Sequence, residues 1–321
     1  MYNTKFWGNL PDGRSADLIT LTSPAGAVAE ISNFGGIIRS LTIPLADGTR
    51  RQVVLGYDTP AEYAAGAFFI GMTIGPYANR IKDAQFTLDN VRYPLEKNEG
   101  ENNLHGGFSG WHTVVYDYAQ DGDALVLTYR SPDGEGGYPG SVDVSVRFFW
   151  QDPMTLGVTY RAETDRPTVL NMTQHSYFNL GTEDTILSHQ LQLRADGYTP
   201  VDNASLPTGE VAPVTGTAFD FRTMRSVAQH YDHNFALTDA PGPAATLVAP
   251  DGNLVMDVFT DKPGIQLYTG SFLKESFVQY EGLCLETQHF PDSPNIPAFP
   301  SPVVRPGEVY LSTTTFGFRT P

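Results

Sequence analysis

Apolar and polar positions alternate with a period of two along much of this chain. The plainest stretch places Val142, Val144, Val146, Phe148 and Trp150 against Asp143, Ser145 and Arg147, and such alternation sets one face of a strand on a core and the other in water. Residues 156–162 and 187–195 repeat the pattern between Gly/Pro breakers. Upstream, four β-branched runs at 18–22, 27–31, 37–44 and 53–55 are separated by turn residues and predict a meander. Residues 86–93 center on Asp89-Asn90 and predict a hairpin. Further strands are expected at 254–260, 265–268 and 283–288, and a Thr-rich run at 307–318 reads as the strand that closes the sheet. Helix is sparse: one turn at 58–63, and a helix over 221–230 capped by Asp220. The Pro/Gly-rich stretch 198–221 is too long for a hairpin turn, and loops of that length tend to cover ligands. No repeat of 20–50 residues stands out, which argues against a propeller or solenoid. The pattern predicts an all-β, antiparallel fold, with residues 1–321 in a single domain.

Composition narrows the partners. Lys+Arg 20 against Asp+Glu 36 leaves a net charge of −16, which repels nucleic acid and anionic membrane surfaces. Cys284 is the only cysteine, so there is no intramolecular disulfide and no cysteine cluster for zinc or iron–sulfur. The N-terminal residues lack the apolar core of a leader, and no run reaches the ~18–20 apolar residues of a membrane span. These features predict a cytoplasmic protein without polyanionic partners; they carry no signal for oligomeric state.

Candidate chemistry is concentrated in a few places. In Asn171-Met-Thr-Gln-His-Ser-Tyr-Phe-Asn-Leu180, His175 and Tyr177 are two residues apart on a predicted strand and so share a face. Glu286 follows Leu283-Cys-Leu285 and ends an apolar strand, where a buried carboxylate is costly unless it is hydrogen-bonded or used. In Asn102-Asn-Leu-His-Gly-Gly107, the glycines let backbone pass close to a ligand while His105 projects a ring. Arg80 stands just beyond the apolar run 68–75, and Asp232 lies in the polar knot Tyr231-Asp-His-Asn-Phe235. His105, His175 and Glu286 would form a two-His, one-carboxylate metal set if they converged, but neither histidine has a ligand-spaced partner in sequence, and no metal is expected.

Taken in order, Asn79-Arg80, Asn-Leu-His105-Gly-Gly, Thr-Gln-His175-Ser-Tyr177-Phe-Asn-Leu, Asp232-His-Asn, Gly-Ile-Gln266-Leu-Tyr-Thr-Gly and Leu-Glu286-Thr-Gln resemble the aldose 1-epimerase family, the galactose mutarotases. The resemblance runs from about residue 34 to 318. It implies a large antiparallel β-sandwich of galactose-mutarotase type with few short helices. It also implies interconversion of the α and β anomers of free hexoses such as galactose and glucose, without a cofactor. His175 would be the acid toward the ring oxygen and Glu286 the base at the anomeric hydroxyl. Asn79, Arg80, His105, Tyr177, Asp232 and Gln266 would bind sugar hydroxyls. One departure is Gln174, where the family usually has Asn; period-two alternation points it away from His175.

The chemistry asks for such a pair on its own account. Opening a hemiacetal removes a proton from the C1 hydroxyl and delivers one to the ring oxygen, and the aldehyde then turns and recloses with both groups reversed. An imidazolium acid near its ordinary value of about 6.5 would set the alkaline limb of a bell-shaped pH profile. Two other readings share the fold: a sugar-phosphate 1-epimerase and a non-catalytic carbohydrate-binding protein. Recognizing a phosphate takes an arginine fork, a lysine or helix N-terminal amides. Arg80 is the one arginine among the motifs, with Arg222 and Arg225 placed where a helix could turn them toward Asp232.

Overall fold

The alternating run at 142–150 becomes the strand Val142–Asp152, with Val142, Val144, Val146 and Phe148 buried and Asp143 exposed. In this computed structural model, which describes residues 2–321, it is the third strand of a nine-stranded antiparallel sheet. The sheet order is Asp117–Asp121, Ala124–Ser131, Val142–Asp152, Thr155–Thr164, Tyr310–Arg319, Val255–Thr260, Ala245–Val248, Gln190–Leu193 and Arg225–Ser226. The Thr-rich closing segment therefore lies mid-sheet, where it joins Thr155–Thr164 to Val255–Thr260.

The N-terminal meander is a five-stranded sheet, Tyr2–Asn9, Ser15–Thr22, Val28–Ser32, Ile38–Pro44 and Arg50–Gln52. Two details differ from the sequence pattern. Tyr2–Asn9 is a largely exposed edge strand, so it has no buried face to produce alternation. The pairing expected at 53–55 is made instead by Arg50–Gln52, while Val54 forms a single bridge to Phe178. The hairpin forms as predicted. Gln85–Leu88 pairs with Val91–Pro94, and Asp89 (φ 50°) and Asn90 (φ 62°) both take the left-handed conformation that a two-residue loop of this hand requires.

Strand makes up 45% of the chain and helix 6%. The one α-helix among the described residues, Pro60–Ala65, starts at a capping box in which Thr59 accepts from the Glu62 amide and the Glu62 carboxylate accepts from the Thr59 amide. The helix expected over 221–230 does not form. Arg225–Ser226 pairs instead with Gln190–Leu193, the amides of Val227 and Ala228 bond to the carbonyls of His189 and Leu187, and the Asp220 carboxylate accepts from the amide and guanidinium of Arg222. Sheet-edge bonding outcompeted a local propensity that no apolar helical stripe supported.

The third sheet, six-stranded, carries Tyr177–Phe178, Leu283–Gln288, Gly264–Tyr268, Asp232–Leu237, Ala195–Tyr198 and Ala212–Pro213 in that order. Its inner strands are buried on both faces. Leu283, Leu285, Ile265 and Leu267 enter the main core, which they share with Phe148, Val158 and Phe316 of the nine-stranded sheet and Ile19, Leu21 and Ile31 of the meander. This layering is a β-sandwich. The other face of the inner strands holds polar side chains. No helix among the described residues is long and apolar enough to cross a membrane.

Phe148 is fully buried where the sheets meet. Phe148→Ala is expected to destabilize the fold by about 3–5 kcal/mol, measured as a lowered urea midpoint with an unchanged slope.

Candidate active site

Register places the polar face. Glu286 pairs with Gln266, and Gln266 with Asn234; one rung over, Tyr177 pairs with Cys284, Cys284 with Tyr268, and Tyr268 with Asp232. With a side-chain period of two, both rungs present their side chains on the face opposite the main core. Glu286 is therefore mid-strand, in Leu283–Gln288, and not at the strand's end.

The run 171–180 is not one continuous strand. Thr173–Gln174 pairs with Thr73–Ile74, Tyr177–Phe178 pairs with Leu283–Gln288, and His175 sits at the break, where the chain passes between sheets. Its backbone is held there: the His175 amide donates to the Met72 carbonyl at 2.8 Å and its carbonyl accepts from Gly71 at 2.9 Å. The same-face expectation survives, with the His175 and Tyr177 ring centroids 5.2 Å apart. Gln174 points away, as alternation required: it accepts from the Thr73 hydroxyl at 3.0 Å and donates to the Gly71 carbonyl.

The third wall carries Asn79, Arg80 and His105. Leu104 pairs with Arg80, the Asn79 amide donates to His105 Nδ1 at 3.1 Å, and the His105 amide donates back to the Asn79 carbonyl at 3.0 Å. Asn79 (φ 66°), His105 (φ 55°) and Phe69 (φ 53°) are all left-handed without being glycine. Such strain persists where surrounding structure over-determines it, and it clusters at functional sites.

These walls enclose a cleft of about 830 Å³ lined by Asn79, Arg80, His105, His175, Tyr177, Asp232 and Glu286, together with residues 203–206 of the long loop. Seven of the eight residues singled out from sequence thus meet in one place. The eighth, Gln266, lies beside the cleft and donates to Asp232 at 2.6 Å. Tyr177 lines the cleft with its ring but donates its hydroxyl to the Phe68 carbonyl at 2.9 Å. Arg80 is held by a partner the sequence reading missed: Glu99 accepts from Nε and Nη2 at 2.7 and 2.5 Å, a bidentate pair. Cys284 was also missed; its Sγ lies 3.5 Å from His175 Nδ1. Neither residue carried a motif. Their roles follow from register and loop packing.

At the center, His175 Nε2 is 3.7 Å from Glu286 Oε1, with both side chains at most 5% exposed. Burial and the nearby Asp232 charge push the Glu286 carboxyl well above the usual carboxylate range, against a pull from Arg80. Burial pulls His175 down to about 4 and drives His105 well below its ordinary value. Burial thus favors the neutral form of both groups. Glu286 Oε2 is buried with no hydrogen-bond partner in the protein, and a hydroxyl group in the cleft would satisfy it.

The two-His, one-carboxylate set does converge, with ligand atoms of His105, His175 and Glu286 within 4.8 Å of one another. His105, however, has no lone pair to offer. Its Nδ1 accepts the Asn79 amide, so the neutral ring carries its proton on Nε2 and is a donor toward the cleft. That leaves two ligands, short of the three that catalytic zinc sites use.

Fold and site together define an antiparallel β-sandwich with a buried imidazole–carboxyl pair in a cleft for a small polar ligand. The family model described as aldose 1-epimerase matches residues 17–317. Aldose 1-epimerase from Escherichia coli K12 is 37% identical over 96% of each chain, and galactose mutarotase from Rattus norvegicus is 37% identical over 97% of each. Among solved structures, galactose 1-epimerase from Lactobacillus acidophilus superposes with a TM-score of 0.89 at 28% identity, covering 100% of this chain and 99% of its own. An aldose epimerase homologue from C. elegans gives 0.91 at 28%, covering 94% and 98%. The chain belongs to the aldose 1-epimerase family.

Elemental analysis of the protein as purified is expected to find well below one equivalent of zinc or iron; a stoichiometric metal lost in His105→Ala would show that His105 is a ligand after all.

Proposed function

We propose that this protein is an aldose 1-epimerase that interconverts the α and β anomers of free hexoses such as galactose and glucose, with Glu286 as the base at the anomeric hydroxyl and His175 as the acid at the ring oxygen. The observation that carries the reading is the contact of His175 Nε2 with Glu286 Oε1 at 3.7 Å inside a buried cleft. A hemiacetal has both reacting oxygens on one carbon, so two adjoining groups of opposite role can serve them together. His105 Nε2–H, Arg80, Asn79 and Asp232 supply donors and acceptors for the remaining hydroxyls, while the Tyr177 ring offers an apolar wall. Gln266 holds Asp232 in place.

The protonation states suit the sequence of events. Ring opening starts from ionized Glu286 and protonated His175 and ends with neutral Glu286 and neutral His175, which is the state that burial favors. Reclosure on either face starts from that neutral pair. Opening needs the ion pair, which has the same total charge, and Arg80 supports the ionized carboxylate.

A free sugar fits better than its phosphate ester. Arg80 is the one cation among the lining residues and is already paired with Glu99, whereas Asp83, Glu99, Glu101, Asp232 and Glu286 all line the cleft. Arg222 is paired with Asp220, and Arg225 donates to the Ala218 carbonyl with its guanidinium over Phe221, so neither reaches the cleft. The single buried thiol, Cys284, fits a reducing, cytoplasmic setting.

Polarimetry of fresh α-galactose, α-glucose and glucose 6-phosphate tests the assignment: faster relaxation on the free sugars is expected, no acceleration over buffer would leave a sugar-binding protein, and preference for the phosphate would favor the sugar-phosphate reading. Glu286→Gln and His175→Asn should each lower kcat by about 10²–10⁴-fold, and the double variant by less than the product of the two.

The pH profile of kcat/KM should differ from that of an unperturbed imidazolium acid. The pair gains a second proton only as pH falls to about 4, where His175 titrates, and loses its one proton only at the raised value of Glu286. The acid limb is expected near pH 4 and the alkaline limb above the ordinary carboxylate range; an acid limb well above 4 would show that His175 titrates as an ordinary imidazole.

A further inference from the structure

The cleft shares a wall with a second cavity. Phe69 lines both the cleft and a cavity of about 320 Å³ behind it, bounded by Leu10, Tyr63, Met72 and His112. Its ring touches three imidazoles: the centroid lies 4.6 Å from that of His105 and 5.0 Å from that of His112, both edge-on, and 5.9 Å from that of His175. Aromatic rings in such contacts favor edge-to-face geometry, so the contacts orient as well as fill.

The backbone shows that this placement is enforced. A bulky residue at φ 53° is an outlier that relaxes unless its surroundings hold it. Here they do. The Tyr177 hydroxyl donates to the Phe68 carbonyl, the Met72 amide to the Phe69 carbonyl at 3.1 Å, and the Gly71 and His175 amides to the His175 and Met72 carbonyls. The segment bearing the ring is thus strapped to the segment bearing His175. A side chain needed only to fill space could sit on relaxed backbone.

We propose that Phe69 is a positioning residue for anomerization: its ring fixes the imidazoles of His105 and His175 and seals the cleft from the cavity behind, so that the acid/base pair works without water at its back. This rests on the function proposed above. The groups facing His175 are Glu286 at 3.7 Å, Cys284 at 3.5 Å, and the rings of Tyr177 and His105, each 5.2 Å away between centroids, with His112 acting at longer range. Truncating Phe69 removes none of these groups, while it frees the His105 and His112 rings that Phe69 touches. Joining the two cavities would admit water behind His175 and weaken the burial that disfavors its charged form.

The test compares wild type, Phe69→Ala and Phe69→Leu by polarimetry on galactose and by NMR titration of labeled histidine rings, with the His175 signal assigned from His175→Asn. Phe69→Ala should lower kcat by about 10- to 100-fold, with a smaller change in KM, and should move the His175 titration upward by about one pH unit or more. Phe69→Leu, which keeps most of the wall, should do both to a lesser degree and carries the test if the alanine variant does not fold. Unchanged kcat, or a kcat loss with the His175 titration unmoved, would overturn the proposal. The titration needs no turnover, so a wild-type protein that failed to anomerize sugars would defeat the functional reading while the wall itself stayed measurable.

Discussion

Placing a carboxyl and an imidazole 3.7 Å apart, both almost fully buried, constrains everything built around them. Two separate charges in such a place are costly to desolvate, and an unpaired one is worse. That cost is lowered because burial favors the neutral form of each partner. A hemiacetal in ring opening also moves one proton off and one proton on, so the site's proton count never changes while its distribution does. The surrounding groups bear on that distribution: Arg80 favors the ionized carboxylate and Asp232 disfavors it.

The scaffold meets this demand through register and strain. A strand buried on both faces can give one face to the core and the other to chemistry, and Leu283–Gln288 does so by alternating Leu283, Leu285 and Thr287 with Cys284, Glu286 and Gln288. The adjacent strands then present Gln266, Tyr268, Asn234 and Asp232 in fixed rungs. The opposite wall comes from loops, and loops are positioned less firmly than strands. Here the left-handed residues Phe69, Asn79 and His105 supply the missing rigidity: Asn79 and His105 bond each other reciprocally, and the Phe69 carbonyl accepts from the Met72 amide.

What could be read from the sequence follows from which interactions are local. The alternation at 142–150 and the Asp89-Asn90 turn are decided by neighboring residues, and both formed as expected. The helix over 221–230 failed because strand pairing with Gln190–Leu193, invisible in a local window, outcompeted it. The exposed edge strand Tyr2–Asn9 had no buried face to announce it. At the site, seven residues carried by motifs converged, but Gln266 stood back as a support for Asp232, and Glu99, Cys284 and Phe69 emerged only once the chain was folded. These three act on other site residues, and that relation is a matter of distance across the fold.

The same distinction bears on substrate choice. The net charge of −16 on its own says little about a phosphate, because exposed charges are screened over roughly 8–10 Å in physiological salt. The local arrangement says more. Inside the cleft the one guanidinium is forked onto Glu99, so its charge is already neutralized, and an incoming dianion would meet Asp83, Glu101, Asp232 and Glu286 with no free cation among the described lining residues to balance it. A hydroxyl asks for no such balance. It can accept from the remaining guanidinium N–H groups or from His105 Nε2–H and donate to Asp232 while every existing ion pair stays intact. In the function proposed above, preference for a neutral sugar follows from a cation already committed to its own carboxylate.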